Sequence, residues 1–364
     1  MPRPDRRSAP ARRAGLSPAP GSRAPFARAS RRGLRAALGV AAVLGIAAAL
    51  GVGATVLLGR GGEPARAAGG AEREEAGMRI TDLVLAGPAA TARPGTPNRL
   101  GSASVPVRRY EPAAGSWATL VWAHGGSFVH GGLDWPEADW AARRFAEAGL
   151  RVYSVDYALA SEAVQAPAGA NDVGAVLDWA LAEHAGEPVA VGGASAGGHL
   201  AAQAALDAAR ARAADPAERG PAALVLEYPT LHRVQRPDPA IAAVTAALPE
   251  ARRFPPERIA AMYDVAFGGD AAAAIPVGER AAAELALLPP TVIVNADADD
   301  LRASAEQFAE QLRAAGVPVT ESVQPGTVHG YLNRPEESER ARADARDTIG
   351  RFVAELRRIT GPAG

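Results

Sequence analysis

The sequence contains no cysteine and no lysine, so all 39 of its basic residues are arginine. Without cysteine there are no disulfides, no thiolate metal sites and no cysteine nucleophile. That absence suits either side of a membrane and leaves the redox compartment open. The missing lysine, beside the heavy alanine content, reads as a base-composition bias and not as a functional signal. Net charge is also scarce, at -1 overall, but it is unevenly spread. Residues 1–35 carry ten arginines and one aspartate, which leaves about -10 for the remainder. A domain that acidic is a poor nucleic-acid binder, because phosphate contacts need clustered arginine or lysine.

What is present is apolar. Hydrophobic residues make up 48% of the 364, enough for a sizeable core in one large α/β domain with an insertion, or in two smaller domains. Ala36 to Gly59 is an uncharged run between Arg35 and Arg60. About 24 residues at 1.5 Å each span roughly 36 Å, enough to cross a hydrocarbon core of ~30 Å as one N-terminal hydrophobic helix. The Arg- and Pro-rich leader at 1–35 orients it with the N-terminus in the cytoplasm and the rest outside. Two versions stay open. Ser30-Arg31-Arg32-Gly33-Leu34 resembles a twin-arginine export signal, with Ala65-Arg66-Ala67 as a small-residue cleavage site. Uncleaved, the run at 36–59 is a membrane anchor.

Residues 60–78 read as a linker, and 79–364 as the folded domain. Alternating strand and helix signals point to α/β architecture, a mostly parallel sheet with helices on both faces. The candidate strands are Thr119–Ala123, Val152–Asp156, Val189–Gly192, Ala223–Glu227, Thr291–Asn295 and Val317–Val323. Helical spacing appears in Ala305, Phe308, Ala309, Leu312 and Ala315, stopped by Gly316, and in Ala341, Ala345, Ile349, Phe352 and Leu356. Residues 231–285 break the rhythm and read as a cap-like insertion over the strand ends, with Phe254, Met262, Tyr263 and Phe267 as its apolar residues.

Three segments carry chemistry. Gly193-Ala194-Ser195-Ala196-Gly197 sits between a strand and the helical run His199–Arg212, the setting of a nucleophile elbow, with Ser195 as nucleophile. His124-Gly125-Gly126-Ser127-Phe128 ends a strand, and its glycines let backbone N–H groups approach a bound carbonyl. Acyl transfer needs such donors for the oxyanion, here assigned to the N–H groups of Gly126, Ser127 and Ala196. His124 and Gly125 then orient the loop. A serine hydroxyl also needs an imidazole to take its proton and a carboxylate to hold that imidazole. His329, in Gly326-Thr327-Val328-His329-Gly330, and Asp299 fill those roles, with Asp297 and Asp300 as rival acids. His130, His184, His199 and His232 lack partners at metal-ligand spacing, and no metal or cofactor is expected.

Together these motifs resemble the hormone-sensitive-lipase-like branch of the α/β-hydrolases, over about Val105 to Arg334. The likeness includes Val105-Pro106-Val107-Arg108-Arg109-Tyr110, Val155-Asp156-Tyr157-Ala158-Leu159-Ala160-Ser161-Glu162, Leu288-Pro289-Pro290, Asp299-Asp300-Leu301-Arg302 and His329-Gly330-Tyr331, besides the segments above. The resemblance implies the α/β-hydrolase fold, a serine carboxylesterase acting on short-to-medium acyl esters, and Asp299 as triad acid. Ser127, Ala158 and Ser161 depart from the family pattern, and the family's N-terminal cap helices look shortened or absent. A peptidase, an acyltransferase, a non-catalytic ligand-binding protein and an envelope docking protein remain the alternatives.

Overall fold

The computed structural model describes residues 68–75, 77–88, 98–268 and 274–361. The leader at 1–35, the apolar run at 36–59 and residues 60–67 lie outside them. Among the described residues no helix is long and apolar enough to cross a membrane.

Among the described residues, nine strands form one sheet. In chain order they are β1 (Ala68–Glu75), β2 (Met78–Ala86), β3 (Ser104–Pro112), β4 (Ala118–Ala123), β5 (Leu150–Val155), β6 (Val189–Ala194), β7 (Ala223–Glu227), β8 (Thr291–Ala298) and β9 (Val319–Val328). Their spatial order is β1-β2-β3-β5-β4-β6-β7-β8-β9. The pairs from β5 through β9 are parallel, and those joining β1, β2, β3 and β5 are antiparallel. All six expected strands are present, with ends shifted by a few residues.

Among the described residues eight α-helices accompany them: α1 (Asp139–Glu147), α2 (Ala168–Glu183), α3 (Ala196–Ala214), α4 (Pro239–Thr245), α5 (Pro256–Phe267), α6 (Ala282–Leu285), α7 (Arg302–Ala314) and α8 (Glu339–Thr360). One face of the sheet packs α2, α3 and α7, and the other packs α1 and α8. The central strands β4, β6 and β7 are buried along their whole length, as a sheet covered on both faces requires. The expected apolar stripes face this core. Ala305, Phe308, Ala309 and Leu312 are buried on α7, and Ala345, Ile349, Phe352 and Leu356 on α8. Each large side chain so buried contributes about 1.5–3 kcal/mol.

One assignment needs correction. Residues 68–75, placed in a linker by their polarity, form β1, paired antiparallel with β2. Backbone hydrogen bonds hold such an edge strand, so its side chains carry no apolar signal.

The strand order reverses beside β4: β5 lies on one side of it and β6 on the other. At such a switch point two loops diverge beyond the carboxyl ends of the strands and leave a crevice. The loops following β4 and β6 are the ones that carry His124–Phe128 and Ser195.

Candidate active site

Ser195 occupies a tight turn between β6 and α3, with φ +53° and ψ -118°. A non-glycine residue pays about 1–3 kcal/mol for such a backbone, so the surroundings must hold it there. They do so through the Ser195 N–H, which donates to the Glu227 carbonyl at 2.9 Å, and through close packing at Gly197. A Cβ on Gly197 would stand 2.2 Å from the carbonyl oxygens of both Ala123 and His124, so only glycine lets α3 begin this near β4.

The loop after β4 lies against this turn. A Cβ on Gly125 would be 3.1 Å from the Ser195 Cβ. Gly126, Ser127 and Phe128 follow with φ of +116°, +55° and +67°. Gly126 is indispensable, since a Cβ there would fall 2.0 Å from the His130 carbonyl oxygen. Among the described residues, the N–H groups of Gly126, Ser127 and Ala196 have no acceptor. Ser127 adopts the left-handed backbone despite its side chain.

His124 is fully buried, and its Nδ1–H donates to the Gly125 carbonyl at 2.7 Å. Its ring stacks on Tyr157, whose hydroxyl donates to the carbonyls of His124 and Gly125. Burial holds the His124 pKa below the ordinary imidazole range, so the ring is neutral.

His329 follows β9 and reaches back across the strand ends. Its Nε2 is 3.0 Å from Ser195 Oγ, and its Nδ1 is 2.7 Å from Asp299 Oδ2. Asp299 is 1% exposed and also accepts the Leu301 N–H through Oδ1 at 2.9 Å. The buried carboxylate fixes the proton on Nδ1 and turns the Nε2 lone pair toward the hydroxyl.

The rival acids point elsewhere. Asp297 accepts the Gly326 N–H at 2.8 Å and faces Arg302. Asp300 accepts the Phe254 N–H at 2.7 Å and the Thr245 hydroxyl at 2.5 Å.

Several neighbours of the site carry no sequence signal. Glu137, 1% exposed, accepts the Gly125 N–H through Oε2 at 2.6 Å and the Tyr228 hydroxyl through Oε1 at 2.5 Å. The Tyr228 ring lies 4.8 Å from that of His329, and Phe254 packs against the same imidazole at 4.6 Å. Burial, with Glu137 adding to it, drives the Tyr228 pKa far above the phenol range, so this hydroxyl stays a donor. Arg334 donates to the His329 carbonyl at 2.6 Å. Nothing in the local spacing marks Glu137, which stands in a loop twelve residues past its partner.

The remaining histidines serve the scaffold. His130 is exposed, and His184 is bonded to Arg151 and Tyr153. His232 lies between Ser304 and Gln311. His199 is fully enclosed beside Thr230 and Tyr263, and burial pushes its pKa down to about 3. Among the described residues no cluster of potential metal ligands occurs.

Comparison with known proteins agrees with this fold. A family model described as the alpha/beta hydrolase fold matches residues 120–333, more than half of the chain. The chain is 31% identical over 299 residues to the carboxylic ester hydrolase LipN of Mycobacterium tuberculosis, covering 77% of this chain and 71% of that one. Over 250 residues it is 36% identical to the carboxylesterase NlhH of the same organism, covering 64% and 73%. The solved esterase LipW of Mycobacterium marinum superposes with a TM-score of 0.59 at 29% identity, over 79% of this chain and 83% of that one. The chain therefore belongs to the α/β-hydrolase family, in its hormone-sensitive-lipase-like branch.

Proposed function

We propose that the protein is a serine carboxylesterase that cleaves short-to-medium acyl esters through an acyl-enzyme on Ser195. The observation that carries this reading is the unbroken hydrogen-bonded line from Ser195 Oγ to His329 Nε2 at 3.0 Å and from His329 Nδ1 to Asp299 at 2.7 Å. The hydrolysis of esters accords with the names of the relatives, a carboxylic ester hydrolase and a carboxylesterase.

In the first step Ser195 Oγ attacks the ester carbonyl as its proton passes to His329 Nε2. Asp299 holds the imidazolium that results. The carbonyl oxygen becomes an oxyanion and takes the N–H groups of Gly126, Ser127 and Ala196, each donor worth about 2.7–4 kcal/mol. The tetrahedral centre collapses, the C–O bond to the alcohol breaks, and His329 returns its proton to the departing oxygen. Water, deprotonated by the same imidazole, then frees the acid and restores Ser195. His124 and Gly125 shape the loop, and no metal or cofactor takes part in these steps.

A location in the cell envelope belongs to the same proposal, and the N-terminal composition supports it. The arginine-rich leader and the apolar run at 36–59 either hold the domain at the membrane, outside the cytoplasm, or export it. Residues 231–285 act as a cap over the imidazole side of the site.

Hydrolysis of p-nitrophenyl acetate, butyrate and palmitate by the purified chain tests the activity. Turnover of the two shorter esters is expected, with loss of both in Ser195→Ala. Absence of ester turnover, or turnover that survives Ser195→Ala, overturns the reading. Protease treatment of intact spheroplasts, with assay of the released fraction, tests the location: the domain is expected either to be digested or to be found in the released fraction, and protection inside the spheroplasts would overturn it.

A further inference from the structure

Two aspartates in a row do unrelated things in this site, and the second leads to substrate selection. Asp300 is only 10% exposed at its side chain, yet it does not face the imidazole. Its Oδ2 accepts the Phe254 N–H at 2.7 Å and its Oδ1 accepts the Thr245 hydroxyl at 2.5 Å. Its backbone carbonyl accepts Gln235 Nε2–H at 2.6 Å. All three donors lie between β7 and β8, in the segment from which Phe254 reaches His329. Asp300 therefore ties that segment to the loop whose preceding residue, Asp299, holds His329.

The consequence is the placement of Phe254. Its ring meets the His329 ring at 4.6 Å, nearly edge to face, while the Arg258 guanidinium lies 4.4 Å from its centroid. Arg258 is itself fixed, donating to the Arg253 carbonyl at 2.7 Å. Phe254 is thus clamped between an imidazole and a cation, with little freedom to swing aside.

Which part of an ester meets this ring follows from proton transfer. The departing alcohol oxygen must receive its proton from His329 Nε2, so the alcohol lies beside the imidazole. The carbonyl oxygen lies instead toward Gly126, Ser127 and Ala196. A side chain packed on the imidazole therefore borders the alcohol half of the substrate.

We propose that Phe254 is a specificity-determining residue for the alcohol half of the ester, with Asp300 and Thr245 as positioning residues that set its ring against His329. The proposal rests on the esterase reading above. In this arrangement the ring forms an apolar wall that limits the bulk of the leaving alcohol, and the acyl half is selected elsewhere.

The test compares kcat/KM for two ester series in wild type, Phe254→Ala, Phe254→Leu and Thr245→Val. One series is the acetates of ethanol, 1-butanol and 1-naphthol, with the acyl group constant. The other is p-nitrophenyl acetate, butyrate and hexanoate, with the alcohol constant. Phe254→Ala is expected to raise the naphthyl-to-ethyl ratio by about tenfold, the scale of a lost apolar contact. Phe254→Leu and Thr245→Val shift it the same way by about two- to threefold. The acyl ranking stays within about twofold of wild type in all three. An unchanged alcohol ranking overturns the proposal, as does an equal loss on every ester or a shift confined to the acyl series. Fluorophosphonate labelling of Ser195 in each protein separates this failure from a deeper one. If wild type itself takes no label, the esterase reading fails; if every variant labels and the alcohol ranking stands still, only the role of Phe254 fails.

Discussion

The two halves of the site are held by different means. On the nucleophile side, Ser195, Ala196 and the loop at 124–128 are fixed largely by backbone, through carbonyl–amide bonds and approaches only glycine permits, with Glu137 and Tyr157 adding side-chain bonds to the loop. On the imidazole side, side chains do the holding: Asp299 orients His329, Arg334 pins its carbonyl, and Tyr228 and Phe254 pack on its ring. A backbone requirement narrows the choice of residue to glycine or another small side chain. A packing or hydrogen-bonding requirement can be met by many side chains from many places in the chain. The nucleophile half is accordingly written as a contiguous motif, and the imidazole half is scattered.

The contrast is broken most severely at Asp299. Asp299→Asn leaves His329 in the wrong tautomer and is expected to lower kcat by about 10⁴-fold. Asp297→Asn lowers it less than about tenfold, since the Asp297 carboxylate bonds Gly326 and Arg302 and not the imidazole. Steady-state rates on p-nitrophenyl butyrate check both. Equal losses would mean that the two acids share one task.

Next comes the backbone half. Gly126→Ala drives a Cβ onto the His130 carbonyl and displaces the N–H groups proposed as oxyanion donors. A fall in kcat of about 10²–10³-fold is expected, with KM changed far less. A variant with full activity would mean that the loop's N–H groups do not meet the oxyanion.

Glu137 joins the halves, holding Gly125 on one side and Tyr228 on the other. Glu137→Gln replaces one acceptor with a donor facing a donor, which costs about 1–3 kcal/mol in a buried site. The expected result is a drop of about tenfold in kcat together with a lower unfolding midpoint. Recovery of kcat in Glu137→Asp would place the effect in the acceptor and not in the volume.

The smallest effect concerns stability alone. Glu227 is fully buried at the end of β7, beside Tyr331. Burial raises its pKa well above the ordinary 4.5, so the folded state binds the proton more tightly than the unfolded one. Stability from this group is complete below the unfolded pKa and is lost as pH rises through the folded value. Urea unfolding of wild type and Glu227→Gln should therefore diverge, with wild type losing ground as pH goes from 4.5 to 8. Parallel curves would contradict this.

The same distinction explains what could be read beforehand. The central strands and the α7 and α8 stripes were legible because burial on a fixed period dictates apolar residues. Ser195 and His329, which stand 3.0 Å apart, and Gly126 on its positive-φ loop were legible because strained turns and a serine–imidazole pair leave few choices of residue. β1 was not, because edge pairing leaves its side chains in water, where Glu72, Glu74 and Glu75 are as suitable as any. Glu137 and Tyr228 were hidden by distance along the chain, being 91 residues apart and joined by one hydrogen bond. Asp300 was visible only as a rival to Asp299, since residue type alone cannot say which carboxylate faces the imidazole.

The most direct measurement is covalent labelling with a fluorophosphonate, wild type beside Ser195→Ala. The account predicts one equivalent of label on wild type, at Ser195, and none on the variant. Equal labelling of both, or of neither, would contradict it.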